Sequence, residues 1–251
     1  MSRYFLEIKY DGTNYHGWQI QQNANTVQAE INKALSTLLQ EQVSVTGAGR
    51  TDTGVHAKQL FCHFNTALTF EIDKLIFKLN SFLPEDISCT SLTKVHPEAH
   101  ARFSAIARTY EYWITPFKNP FLHQKAYFLP YQLNIDLMNE ATKKLLGEQD
   151  FSCFSKSKTD TFTNNCNITF ANWEYKNGMF VFTISANRFL RNMVRAIVGT
   201  MLDIGQQKIN VETLDKIIAS KNRSNSGTSA PAHGLYLTEV KYPKETLNYK
   251  L

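Results

Sequence analysis

The apolar residues of this chain switch repeatedly between a period of two and a period near 3.6, and the order of those switches constrains the fold more than any other feature. Arg3 to Tyr10 reads as a strand carrying Phe5 and Ile8. A polar, glycine-bearing loop covers Asp11 to Asn23. Asn25 is placed to cap a helix over 26–39, with Gln28 in its first turn and Val27, Ile31, Leu35 and Leu38 on one face. A short strand at 43–46, a loop at 47–57 and a strand at 59–65 follow. A second helix spans 72–83, stopped by Pro84, and a strand covers 87–95. The order βαββαβ is that of the split, ferredoxin-like unit.

The second half echoes the first. A strand of aromatic and β-branched residues runs from Arg108 to Thr115. Asn134 is placed to cap a helix reaching Leu146, with Gly147 ending it. Strands at 167–175 and 179–186 flank Lys176-Asn177-Gly178, where Asn-Gly suits a type I′ turn. The spacing predicts a long helix from Asn187 to Ile204, another over 211–219, and a closing strand over 235–242. Two α+β domains follow: residues 1–105, carrying an aspartate loop, and residues 106–251, carrying a tyrosine strand and an arginine helix.

Several function classes drop out on composition. No apolar run approaches the roughly 18 residues of a membrane span, and the charged, alternating N-terminus is no signal peptide, so the expected location is the cytoplasm. Cys62, Cys89, Cys153 and Cys166 form no C-x-x-C pair and are expected to be reduced thiols. His96 and His100 are a poor metal pair, because Pro97 draws His96 away from helical torsions. The net charge of +5, from 27 basic and 22 acidic residues, permits a nucleic-acid partner without requiring one.

The segment Gly47-Ala48-Gly49-Arg50-Thr51-Asp52-Thr53-Gly54-Val55-His56-Ala57 is the first chemical signal. Its glycines imply close approaches or unusual torsions. Their spacing fits neither a dinucleotide fingerprint nor a phosphate loop, so no nucleotide cofactor is expected. Two readings stay open for Asp52: a turn residue capping nearby amides, or an ionised nucleophile beside Arg50. The loop has no second acid, which argues against glycoside hydrolysis. A magnesium site shared with Asp11 would be nuclease-like, but two carboxylates so distant in sequence are weak grounds for it.

The second signal is Arg188, Arg191 and Arg195, which share an arc of roughly 60° if the segment is helical throughout. The plain alternative is a solvated face. Guanidinium groups on a first helical turn oppose the macrodipole, which favours an anion site, for phosphate or for a carboxylate. Lys156 and Lys158, candidate phosphate contacts, lie in a polar stretch from Ser155 to Asn167 that reads as a surface loop. In the strand Arg108-Thr109-Tyr110-Glu111-Tyr112-Trp113, Tyr110 is either core packing or a ring stacked on a base.

Together these residues resemble one family. Tyr10-Asp11-Gly12-Thr13, His16-Gly17-Trp18-Gln19, Thr26-Val27-Gln28, Gly49-Arg50-Thr51-Asp52, Gly54-Val55-His56-Ala57, His100-Ala101-Arg102-Phe103-Ser104-Ala105, Arg108-Thr109-Tyr110, Asp150-Phe151, Met193-Val194-Arg195, Pro231-Ala232 and Gly234-Leu235-Tyr236-Leu237 occur in the order found in the tRNA pseudouridine synthase A family. The resemblance implies two ferredoxin-like (RRM-like) halves whose antiparallel sheets flank a central basic cleft, and a homodimer. It implies a cofactor-free isomerase that converts uridine to pseudouridine in the tRNA anticodon stem-loop, at positions conventionally numbered 38 to 40. Asp52 matches the family's nucleophile, and Tyr110 the residue stacked on the target base. Arg195 matches the arginine paired with the carboxylate, Leu235 the apolar residue under the base, and Arg50 an arginine that holds the nucleotide flipped out. Arg188 and Arg191 are not fixed features of that family and are read as tuning RNA affinity. A non-catalytic tRNA-binding module of the same fold is the alternative.

Overall fold

The computed structural model describes residues 1–156 and 162–248. In chain order the elements are β1 (Ser2–Tyr10), α1 (Val27–Leu39), β2 (Thr46–Gly47), β3 (His56–Thr66), α2 (Ile72–Phe82), β4 (Ile87–Val95), β5 (Ala107–Thr115), β6 (Tyr127–Phe128), α3 (Ile135–Lys143), β7 (Gly147–Asp150), β8 (Asn165–Lys176), β9 (Met179–Ala186), α4 (Met193–Gly205), α5 (Thr213–Ser220), β10 (Leu235–Lys241) and α6 (Lys244–Leu247), with short 3-10 turns between some of them. The chain is thus mixed α and β. It divides into two compact units, Met1–Ala107 with Tyr236–Leu251, and Arg108–Leu235. The closing strand, expected in the second domain, therefore belongs mainly to the first. The reason is backbone pairing: Tyr236 and Leu237 lie parallel to His56 and Ala57.

In the first unit β1 is central, antiparallel to β3 on one side and to β4 on the other. The far edge of β3 takes β2 at Cys62 and His63, and β10 at its opposite end. Phe5, Leu6 and Ile8 of β1 are fully buried, as are Ile31 and Leu35 of α1. Helix α1 starts one residue later than expected, and its cap residue Thr26 makes no side-chain cap bond. Gln28 instead turns inward, donating to the Val45 carbonyl at 2.8 Å and accepting from the Ile20 amide at 2.9 Å. Ala34 and Leu39 enter the core, whereas Leu38 is only half-buried.

In the second unit β9 lies between β5 and β8, and β7 extends the sheet beyond β8. The β8–β9 hairpin turns through Asn177 and Gly178, both at positive φ (53° and 76°), the torsions of a type I′ turn. The Asn134 side chain caps α3 by accepting from Leu137 N at 3.1 Å, as its position predicted. Asn139 of α3 then pairs with both backbone polar groups of Trp173 on β8.

The arginine segment departs from expectation. Helix α4 begins at Met193, not Asn187. Asn192 sits at φ 66°, in the left-handed region that a right-handed helix cannot pass through. Upstream, Asn187 extends the ladder instead: its amide donates to the Asn167 carbonyl at 3.1 Å, and its side chain accepts from Asn167 N at 2.9 Å. Arg188 and Arg191 are therefore loop residues, and only Arg195 lies on the helix.

Candidate active site

Asp52 is half-buried, in a loop packed against the loop that follows β1. The two are joined largely by backbone. Trp18 N donates to the Thr51 carbonyl at 3.2 Å, and Gly54 N to the Tyr15 carbonyl at 3.3 Å. Within the turn, Val55 N donates to the Asp52 carbonyl at 3.1 Å. The Tyr10 and Thr51 hydroxyls, both buried, meet at 2.8 Å. A Cβ at Gly12 would lie 2.0 Å from the Val55 carbonyl oxygen, and one at Gly17, where φ is +89°, 2.3 Å from the Thr51 oxygen. Here the glycines of Gly12-Thr13 and Gly17-Trp18 serve close approach to the aspartate loop, a role that only the folded contact reveals.

Asp86 secures the other side of this platform. Its carboxylate accepts from the Tyr15 hydroxyl and, at 3.0 Å, from Asn14 Nδ2, while its carbonyl accepts from Asp11 N at 2.9 Å. Burial and that carboxylate push the Tyr15 phenol well above its ordinary pKa. His56, only 2% exposed, points Nδ1 at Gly12 N and at Asp11 Oδ1, each 3.0 Å away. It can serve one of them at a time: as an unprotonated acceptor for the amide, or as a protonated donor to the carboxylate. The His56 ring stacks on Tyr236, with centroids 4.6 Å apart. Asp11 Oδ1 also accepts from Thr13 N and Oγ1, so this carboxylate is engaged in shaping its own loop. Among the described residues no group of three or more His, Cys, Asp or Glu side chains is arranged to hold a metal.

The other anticipated residues fall as follows. Arg50 is exposed, in the same loop as Asp52. Tyr110, on β5 in the second unit, is half-buried, with its ring edge-on to Phe189 at 5.2 Å. Tyr112, two residues along, is fully buried and donates to the Pro231 carbonyl at 2.7 Å. Tyr112 is thus core, while Tyr110 is only half-buried. Arg195 is half-buried and tied to one residue twice, through Nε to the Ala230 carbonyl at 2.7 Å and through its own carbonyl to Ala230 N at 3.0 Å. The segment bearing Ala230 is held to α4 by Gly227 N on Thr200 Oγ1 and by Asn192 Nδ2 on Ser229 Oγ. Leu235, 6% exposed, opens β10.

Of the expected RNA contacts, Arg191 and Lys156 are exposed and adjacent, with Lys156 N donating to the Arg191 carbonyl at 3.1 Å. Arg188 is half-buried, and Lys158 lies outside the described residues. Three other basic groups have local partners. Arg223 bonds Ser226, Gly227 and Ser229, Lys221 pairs with Asp150 at 3.1 Å, and Lys144 with Asp215 at 2.6 Å. Asp86 and Ala230 were not singled out from the sequence. Each acts through a contact far along the chain that no local period displays.

The motifs that meet in this geometry also match known proteins. A family model described as tRNA pseudouridine synthase matches residues 7–104 and 141–243. The protein named tRNA pseudouridine synthase A from Parabacteroides distasonis is 48% identical over 248 residues, covering 98% of each chain. Its namesake from Bacteroides thetaiotaomicron is 49% identical over 248 residues, 98% of this chain and 92% of that one. A more distant namesake, from Acetivibrio thermocellus, is 40% identical over 94% of this chain and 98% of its own length. A match of this extent, carrying the aspartate loop and the Arg195 segment together, makes the chain a member of the tRNA pseudouridine synthase family.

Proposed function

We propose that the chain isomerises uridine to pseudouridine in the anticodon stem-loop of tRNA, at positions 38 to 40, with Asp52 as nucleophile. The observation that carries this reading is the backing of Asp52: a half-buried carboxylate on a loop whose backbone is bonded to Trp18 and Tyr15. A carboxylate so held keeps its aim while a base is drawn out of a stacked stem. Asp52 attacks C1′ of the ribose or C6 of the ring, and that bond is broken again, by displacement when C5 bonds C1′ or by elimination from C6, which returns the free carboxylate. The C1′–N1 bond breaks, the uracil turns, and a C1′–C5 bond forms. C5 loses its proton and N1 gains one, so the product is an isomer and no electron or group donor enters the balance.

Tyr110 stacks on the uracil and takes the C5 proton, and its being only half-buried supports that role. Leu235 supplies apolar surface for the base, and Arg50 helps hold the nucleotide out of its helix. Arg195 pairs with the carboxylate and orients it, its Nε anchorage limiting the guanidinium's freedom. Arg188, Arg191, Lys156 and Lys158 contact phosphate. In this reading each unit is a ferredoxin-like half, and the strand order β4-β1-β3-β2 in the first unit supports that description. The halves flank a basic cleft, and the working form is a cytoplasmic homodimer.

The decisive experiment uses tRNA carrying tritium at C5 of its uridines. Wild-type protein should release tritium with neither metal nor nucleotide added. Asp52→Asn should release none while still binding tRNA. Retained release would remove Asp52 from the nucleophile's role. Binding by the wild type without release would favour the non-catalytic module. RNA cleavage stopped by a chelator would favour a nuclease.

A further inference from the structure

The segment His100-Ala101-Arg102-Phe103 has no part in the chemistry above, yet it forms a densely hydrogen-bonded turn. His100 Nδ1 accepts the amides of Arg102 and Phe103 at 3.1 and 3.3 Å. His100 N donates to Ser104 Oγ at 2.9 Å, and Ser104 N to the His100 carbonyl at the same distance. Below them, Ala101 N donates to buried His63 Nδ1 at 3.1 Å, and the Tyr242 hydroxyl to the Ala101 carbonyl at 2.6 Å. This scaffold holds Phe103 out at 75% exposure. The Phe103 ring lies 4.4 Å from the His100 ring, and the exposed Arg102 guanidinium lies 5.4 Å from the Phe103 centroid.

A phenylalanine displayed on a rigid turn gains nothing from water, since its apolar area stays hydrated. An arginine beside it makes the site cationic as well as flat. An aromatic ring next to a guanidinium matches a nucleobase joined to a phosphate: the base stacks and the phosphate pairs. An apolar peptide would not use the charge, and an acidic one would not use the ring. We propose that Phe103 and Arg102 form a second RNA contact, a stacking platform for an unpaired base of the bound tRNA. His100 and His63 act as its pedestal. The platform is separate from the reacting uridine. His63 lies seven residues along β3 from His56, about 23 Å at the usual strand rise. The proposal rests on the tRNA reading above, so its test must separate the two.

The test compares Phe103→Ala, Phe103→Trp and Arg102→Ala with wild type in steady-state tritium release and in tRNA binding, after thermal melts confirm folding. Phe103→Ala should raise KM and Kd for tRNA about tenfold, the size of one lost base stack, and leave kcat at saturating tRNA unchanged. Phe103→Trp should restore wild-type values, which a loss of folding or of mere bulk in the turn would not predict. Arg102→Ala should weaken binding by a smaller factor and flatten its salt dependence. The Asp52→Asn phenotype is the reverse, with binding kept and release lost, so failure of the catalytic reading looks different. Unchanged KM and Kd in folded Phe103→Ala would overturn the platform, as would a drop in kcat alone.

Discussion

The Asp52 loop and the arginine segment 187–195 use opposite means to hold a functional group. The first is fixed through its backbone: Trp18 N of the preceding loop donates to the Thr51 carbonyl, Gly54 N donates back to the Tyr15 carbonyl, and glycines bring the chains to contact. The second has its backbone set by a ladder extension and a left-handed Asn192, and leaves Arg191 in solvent. A nucleophile must meet one carbon within fractions of an ångström, whereas a phosphate contact tolerates a mobile side chain. Under the roles proposed above, the difference in packing parallels a difference in the precision each task demands. Arg195 combines the two, a charged group whose Nε is tied to the Ala230 carbonyl.

Two glycines in the first region give the sharpest way to break this contrast. Gly12→Ala would drive a methyl group to 2.0 Å from the Val55 carbonyl, so the two loops must separate. A shift of about 1 Å at a reacting group costs about 100-fold in rate, and overpacking of this kind costs about 3 kcal/mol of stability. Gly49→Ala, in the aspartate loop itself, meets nothing within 4 Å and should leave thermal stability unchanged. Tritium release and melting temperature on the pair check this. Equal behaviour would mean the loop is not held by close approach.

Acid should probe the first unit next. His63 is buried, and its pKa is lowered to about 4, first by burial and then by the charges of His100 and Arg3. Between that value and the unfolded pKa of about 6.5, the unfolded chain binds more protons than the native one. This contribution is therefore complete above about pH 6.5 and is lost as the pH falls to 4. The span corresponds to at most about 3 kcal/mol. Denaturant titrations at pH 7 and pH 4.5 should show that decline, and His63→Gln should flatten it. A wild-type curve flat over this range would show that His63 is not held neutral.

Much of this architecture was legible in the sequence because the core follows simple periods. The alternation of β1, the Pro84 stop after α2, the Asn134 cap and the Asn-Gly hairpin all appear where local chemistry placed them. Expectation failed where a long-range contact outweighed local pattern. The apolar spacing from Phe189 to Val198 reads as one helix, yet the ladder between Asn187 and Asn167 claims its beginning. Gln28, read only as a first-turn helix residue, is a buried cross-link to Val45 and Ile20. The closing strand left its sequence neighbours to pair with β3. Asp52 was visible as a candidate, but its support by Gly12, Gly17 and Asp86 depends on loops that only the folded chain brings together.

The smallest expected effect tests the second region. Arg191 is exposed at the surface, and Arg223 bonds Ser226, Gly227 and Ser229 inside its own turn. If Arg191 meets phosphate, Arg191→Ala should lower the slope of log K against log salt by about one and weaken binding by about 1 kcal/mol at moderate salt. The double variant with Arg188→Ala should lower it further. Melting temperature should move little, because polar contacts of an exposed side chain contribute little to folding. Arg223→Ala should do the reverse, lowering the melting temperature through its three lost partners while leaving the salt slope nearly intact. Filter-binding titrations over a range of salt, paired with melts, separate the two arginines. An Arg191→Ala slope equal to wild type would reduce that side chain to solvated surface, and the charge that draws in tRNA would then have to reside elsewhere on the chain.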